Sequence, residues 1–304
     1  MNENKTNINW YPGHMLKTKK QIIEDIKLID VVIEILDARI PISSQNPDIK
    51  NIIKNKKRII LLNKSDLAED NETYKWVTYF KSEGITAIPT DANRGNGTKN
   101  CLKEIEKILA EDLKKAAQKG RINKSIRVMI LGIPNVGKSS LINRLCNKKT
   151  AIVGNRPGVT KQKQWTRISN NIELLDTPGV LWPKFENEKV ALNLAYIGTI
   201  KDEVLEQTEI AYSLLKYLYE NYKTNLFERY KLTEEEINSI INKCDLEQID
   251  KFLEIMNRIA QKRGAILSKN QIDYEKVSKI LLDDFRSGRL GRITLEKING
   301  QTKS

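Results

Sequence analysis

The chain has 304 residues, 39% of them hydrophobic and 30% charged, which suits one large or two ordinary folded domains and excludes a wholly disordered chain. Lys and Arg number 52 against 39 Asp and Glu, so the net charge is +13. Such an excess is the electrostatic footprint of a nucleic-acid partner. In chain order, the Asn-rich start, residues 1–10, lacks the apolar stretch of a signal peptide. Residues 15–28 carry Leu16, Ile22, Ile23 and Ile26 at helical spacing. Short apolar runs at 31–36, 58–62 and 85–89 read as buried strands, and a charged helix is expected over 101–118. A further strand, 126–131, runs into a Gly-rich loop and a helix that starts near Lys138. Two more runs, 164–168 and 172–175, flank Ser169, Asn170 and Asn171 as a hairpin.

Strands alternating with helices predict an α/β domain whose sheet is mostly parallel and covered by helices on both faces. After about Pro183 only helical spacing remains. Leu214, Leu215 and Leu218 share one face; Phe252, Met256 and Ile259 share another, as do Val277, Ile280 and Leu281. Thr233 and Glu236 form a T-x-x-E capping pattern. A smaller all-helical C-terminal domain is expected. No apolar run approaches the ~20 residues that cross a bilayer, so no membrane partner is expected and the predicted location is the cytoplasm. Cys101, Cys146 and Cys244 show no metal-ligand spacing and read as thiols of a reducing compartment.

Four motifs carry chemistry. Gly132 to Ser139 fits G-x-x-x-x-G-K-[ST] between a predicted strand and a predicted helix. There Asn135, Val136 and Gly137 would turn backbone N–H groups towards phosphate oxygens. Lys138 would reach the β- and γ-phosphates, Ser139 would ligate Mg²⁺, and Ser140 follows in the same turn. Asp176-Thr177-Pro178-Gly179 closes another strand, where Asp176 would hold Mg²⁺ through water and the Gly179 N–H would meet the γ-phosphate. Thr160, in a polar loop between these motifs, is the expected second Mg²⁺ ligand of a switch segment. Asn63-Lys64-Ser65-Asp66 fits N-K-x-D at a strand end. Its carboxylate would accept from N1–H and the 2-amino group of guanine, a donor pair that adenine lacks. Asp91 and Ala92, after the strand ending at Pro89, would supply backbone N–H to the guanine oxygen.

The order of the motifs is unusual. GTPases of the Ras type run P-loop, switch threonine, D-x-x-G, N-K-x-D, base loop; here N-K-x-D and the base loop come first. Joining the old ends of such a sheet and cutting the chain elsewhere keeps every site in space. The pattern predicts a circularly permuted P-loop GTPase domain. Trp10–Met15 (W-Y-P-G-H-M), Asp37–Pro41 (D-A-R-I-P), this order, Leu181–Lys184 (L-W-P-K) and Asp284–Arg292 (D-F-R-S-G-R-L-G-R) together resemble the ribosome biogenesis GTPase A, or YlqF, family. The resemblance runs from Ile8 to about Glu296. It implies a GTP-hydrolysing factor in late maturation of the large ribosomal subunit, a permuted GTPase domain and a helical domain that contacts rRNA.

The expected division is an N-terminal segment 1–20 with the P-G-H-M motif, the GTPase domain 21–184, the helical domain 185–295 and a tail 296–304. GTP and GDP, and a large-subunit precursor with its rRNA and proteins, are the expected partners; the free protein is expected to be a monomer. Arg286, Arg289, Arg292, Lys262 and Arg263 are candidate rRNA contacts. Where a Ras-type glutamine would orient water stands Val180, so the catalytic group must come from elsewhere. His14, the single histidine, has chemistry that suits positioning a water and equally suits docking a loop or contacting RNA; the resemblance implies the catalytic role. The family also implies that Asn135 helps bind an activating K⁺. One departure is Asp91, which stands where the family more usually has Ser or Asn.

Overall fold

The computed structural model describes residues 13–120, 125–146, 164–168, 171–177, 179–182, 187–200, 206–247 and 249–298. It divides the chain into two compact units, residues 1–194 with 294–304, and residues 195–293.

The first unit is built on a six-stranded sheet. Its strands are β1 (Val31–Asp37), β2 (Lys57–Asn63), β3 (Thr86–Pro89), β4 (Ile126–Leu131), β5 (Gln164–Arg167) and β6 (Ile172–Asp176), in the order β3-β2-β1-β4-β6-β5. Every neighbouring pair is parallel except β5 with β6, the expected hairpin, whose turn residues Ser169 and Asn170 lie outside the described residues. All seven residues of β1 are buried, the mark of a central parallel strand covered on both faces.

Helices α1 (Gly13–Asp25), α2 (Pro47–Ile52), α3 (Asp70–Ser82), α4 (Thr98–Gln118), α5 (Lys138–Leu145) and α6 (Glu188–Tyr196) accompany the sheet. Trp76 and Phe80 of α3 pack on Leu36, Leu62 and Ala87. From β1 the chain steps outward through β2 and β3, then returns to lay β4 on the other side of β1. The β1/β4 seam is therefore the topological switch point, outside whose carboxyl ends ligands bind in open α/β sheets.

The second unit is helical: α7 (Gln207–Asn221), α8 (Lys223–Tyr230), α9 (Glu234–Glu247), α10 (Lys251–Arg263) and α11 (Tyr274–Arg286). The predicted capping box is formed, with Glu236 N–H donating to Thr233 Oγ1 and Thr233 N–H to Glu236 Oε2, both at 3.2 Å. Leu214, Leu215 and Leu218 are fully buried. Among the described residues no helix is long and apolar enough to cross a membrane.

Two expectations change here. The boundary falls at 194/195 rather than 184/185, within the last turn of α6, and the chain rejoins the first unit at Thr294 instead of ending in a separate tail from 296. Leu295 N–H donates to Arg39 O at 2.9 Å, Glu69 N–H to Thr294 Oγ1 at 3.0 Å and Trp76 Nε1 to Glu296 O at 2.8 Å. These bonds tie the segment to the sheet domain.

The second change concerns the cations. Arg286 donates to Tyr196 O and Ala195 O, both at 2.9 Å, so it caps the end of α6. Lys262 pairs with Glu236 at 2.8 Å, Arg263 donates to Arg229 O at 2.7 Å, and Arg289 pairs with Asp284. Arg292, the fifth candidate, is exposed.

Asp284 is the polar centre of the helical unit. Its carboxylate, 2% exposed, accepts from Arg229 at 2.8 and 2.9 Å, from Tyr230 Oη at 3.1 Å and from Arg289. Burial pushes its pKa up, but the Arg229, Arg289 and Tyr230 donors outweigh burial and hold it below the usual carboxylate range. A depressed pKa gives stability that is present above the unfolded value near ~3.9 and lost as pH falls through the folded one. Asp284→Ala is expected to destabilise this unit by about 3 kcal/mol at neutral pH, because it leaves buried donors and charge uncompensated. Urea melts of both proteins test this; a difference below about 1 kcal/mol would contradict it.

Candidate nucleotide site

Four predicted motifs lie at the carboxyl ends of parallel strands. N-K-x-D follows β2, the base loop β3, the P-loop β4 and D-T-P-G β6. The sheet order brings the two halves of the permuted chain to one edge.

Asn63 joins them. Its Nδ2 donates to Val136 O in the P-loop at 2.6 Å, and its Oδ1 accepts from Ala92 N–H in the base loop at 2.9 Å. One buried amide side chain thus spans three motifs. A Cβ at Gly137 would stand 2.3 Å from Asn63 Nδ2, at a φ of +101°. Glycine is required there on both counts.

Asn135 also takes a left-handed backbone, φ +63°. The two inverted residues turn the loop into a concavity of the kind that collects anions at a helix start, here that of α5. Lys138, 7% exposed, donates to Gly132 O at 3.1 Å and Ile133 O at 2.8 Å. Val136 is buried, and Ser139 and Ser140 are half-buried in the first turn of α5.

A Cβ at Gly179 would come within 2.8 Å of Pro134 Cα and 2.9 Å of Lys138 Nζ. Gly179 therefore lies against the P-loop with no room for a side chain, and this narrow cradle fits a phosphate with its metal. The Mg²⁺ typical of such sites would be held by the Ser139 hydroxyl. Thr160 lies outside the described residues, as does the side chain of Asp176, whose backbone ends β6. Thr177 Oγ1 donates to Ile130 O at 2.7 Å and fixes the ends of β6 and β4 together.

On the base side, Lys64 is left-handed (φ 59°) and its Nζ lies 3.0 Å from Asp37 Oδ2. Arg39 grips the same carboxylate with Nε and Nη2, both at 2.9 Å. Burial opposes ionisation of Asp37, but Arg39 and Lys64 outweigh it and hold the carboxyl well below its usual range. Ser65 donates from N–H at 3.1 Å and from Oγ at 3.0 Å to Thr90 O, closing N-K-x-D onto the end of β3. Asp66 is half-buried in the turn Ser65–Leu67, and its carboxylate has no partner among the described residues.

The base loop differs from expectation. The Asp91 N–H donates to Asn96 O at 3.1 Å and the Ala92 N–H to Asn63, so neither amide is open to a guanine oxygen. Asp91 is 3% exposed, and its Oδ1 accepts from Asn93 and Arg94 N–H at 3.0 and 3.1 Å. Both residues shape the loop from within. A carboxylate in place of Ser or Asn supplies the stronger acceptor for that turn. His14 is in the first turn of α1; its side chain lies outside the described residues.

The loop after β1, whose D-A-R-I-P start entered above only as part of the resemblance, makes long-range contacts that the sequence did not announce. Asn46 Nδ2 donates to Val180 O at 2.8 Å. Glu296 accepts from Ile42 N–H at 2.6 Å, from Ser43 N–H at 3.0 Å and from the Ser43 hydroxyl. Partners so distant in sequence leave no local signal.

A family described as 50S ribosome-binding GTPase matches residues 127–267. The protein called ribosome biogenesis GTPase A of Bacillus cereus is 43% identical over 289 residues, covering 95% of this chain and 93% of that protein. The protein of that name from Thermotoga maritima is 31% identical, covering 95% and 94%. The crystal structure of GNP-bound YlqF from T. maritima superposes with a TM-score of 0.63 at 27% identity, covering 92% of this chain and 98% of that one. With the permuted sheet, the four converging motifs and relatives matched nearly end to end, the chain belongs to the ribosome biogenesis GTPase A family and is a GTPase.

Proposed function

We propose that this GTPase binds the maturing large ribosomal subunit in the cytoplasm and promotes a late step of its assembly, with turnover stimulated by the particle. The observation that carries the dependence on a particle is Val180. It directly follows D-T-P-G, is 1% exposed and has no group that can hold a water. Ras-type proteins place a water-orienting glutamine there. Its absence leaves intrinsic turnover slow until another group is delivered. The match to a 50S ribosome-binding family and the charge of +13 support the choice of partner.

In this reading Asp66 selects guanine, with Lys64 held in place by Asp37. The P-loop amides, Lys138 and Gly179 hold the phosphates. Ser139, with Thr160 and Asp176, would hold a Mg²⁺ ion, which would supply positive charge to the phosphates. Asn135 would help hold an activating K⁺. His14 orients the attacking water once the particle positions α1. Exposed cations such as Arg292 meet rRNA phosphates.

His14→Ala is expected to keep GTP affinity while lowering particle-stimulated turnover on the order of 10-fold or more, as loss of a water-orienting group does. K⁺ dependence should survive. The measurement is multiple-turnover hydrolysis at saturating precursor particles. Stimulation absent in the unmodified protein, with nucleotide-dependent binding retained, would favour a nucleotide-gated rRNA-binding module whose turnover is incidental. The buried Val180 is the feature that makes this second reading worth testing.

A further inference from the structure

The loop between β1 and α2 touches both ends of the candidate site. At its start Asp37 holds Lys64 of N-K-x-D; at its end Asn46 holds the carbonyl of Val180, the residue after D-T-P-G. Between them the loop is locked from within. Asp37 N–H donates to Ser44 Oγ at 3.1 Å, and that hydroxyl donates to Ile40 O at 2.7 Å. Arg39, 1% exposed, grips Asp37, and Glu296 covers the amides of Ile42 and Ser43. A segment this fully bonded behaves as a strut.

Asn46 is 1% exposed and uses its amide in two directions. Its Oδ1 caps α2, accepting from Asp48 N–H at 2.9 Å and Ile49 N–H at 3.4 Å. Its Nδ2 is thereby aimed away from the helix, at Val180 O. Helix α2 is in turn tied to α1, which carries His14 in its first turn, by the ion pair of Lys19 with Asp48 at 2.7 Å.

We propose that Asn46 is a positioning residue for GTP hydrolysis, which sets the backbone at Val180, and so the Gly179 end of D-T-P-G, in fixed register with the guanine-side motif and with α1. The inference rests on D-T-P-G being the γ-phosphate switch. Ser, Asp and Asn cap helices about equally well, so the cap alone does not call for asparagine. Only the amide caps with one atom and donates with the other. Asn46 bonds the Val180 carbonyl, so the setting acts on the main chain, where the Gly179 N–H would meet the γ-phosphate.

Asn46→Asp and Asn46→Ser separate the two tasks. Both keep an acceptor for α2; the first has no donor at neutral pH, and the second is an atom too short to cap and reach Val180 together. The test measures single-turnover hydrolysis with Mg²⁺ and K⁺, affinity for GDP and for a non-hydrolysable GTP analogue, and thermal melting. The expected result is a hydrolysis rate lower on the order of 10-fold. GDP affinity should stay within about twofold, and preference for the GTP analogue over GDP should fall on the order of 5-fold. A helix cap by itself would not move that preference. If the first variant fails to fold, the second decides. Hydrolysis within about twofold of the unmodified protein, or equal losses for both nucleotides, would overturn the proposal. A Gly179→Ala variant that still favours the GTP analogue would instead remove the switch reading beneath it.

Discussion

Asp66→Asn should weaken GTP binding on the order of 100-fold and improve binding of xanthosine triphosphate. The carboxylate is half-buried at the end of β2 and has no partner among the described residues, so its acceptor capacity is available to a base. Guanine offers N1–H and an exocyclic amine to it, and loss of two charge-assisted bonds in a shielded pocket costs two or more powers of ten, roughly. Xanthine carries an oxo group in place of that amine, which the amide of the new side chain can serve. The surrounding frame should not collapse, since Ser65 and Asn63 make the bonds that hold the turn. Competition titrations with the three nucleotides check this, and equal binding of ATP and GTP by the unmodified protein would contradict it.

Lys138→Ala should have the other large effect. The ammonium is nearly buried between Gly132 O, Ile133 O and the face of Gly179. Removing it takes away the one side-chain cation that the P-loop directs at the β- and γ-phosphates. GTP affinity should fall on the order of 100-fold, hydrolysis should become undetectable, and GTP-dependent co-sedimentation with large-subunit precursors should be lost. An unchanged melting temperature would show that the loss belongs to the site. Retained co-sedimentation would mean that the γ-phosphate does not order the binding surface.

The sequence made the catalytic edge legible because each motif is local. The P-loop, N-K-x-D and D-T-P-G each need a short run of residues at a strand end, and all three were placed at strand ends. The permutation was legible from their order. What stayed hidden depends on contacts between distant residues. Asn46 and Val180 are 134 positions apart, and Ser43 and Glu296 are 253 apart. Neither pairing leaves a periodicity or a spacing. The return of residues 294–298 to the first unit was hidden for the same reason. Asp91 shows a different limit, since an acidic residue in a loop reads alike whether it faces a ligand or its own backbone amides. The arginines of the closing segment show it again. Charge alone suggested nucleic acid for Arg286, whereas its geometry makes it the cap of α6.

The central claim is that two halves of the chain, read in permuted order, make one guanine-nucleotide site. Equilibrium titration of the purified protein with a fluorescent GTP analogue in Mg²⁺ tests it most directly, run on the unmodified protein and on the Asp66→Asn and Lys138→Ala variants. The expected result is one site per chain, displaced by GDP but not by ADP, and weakened by either substitution alone. Two sites per chain, each sensitive to only one of the substitutions, would contradict it.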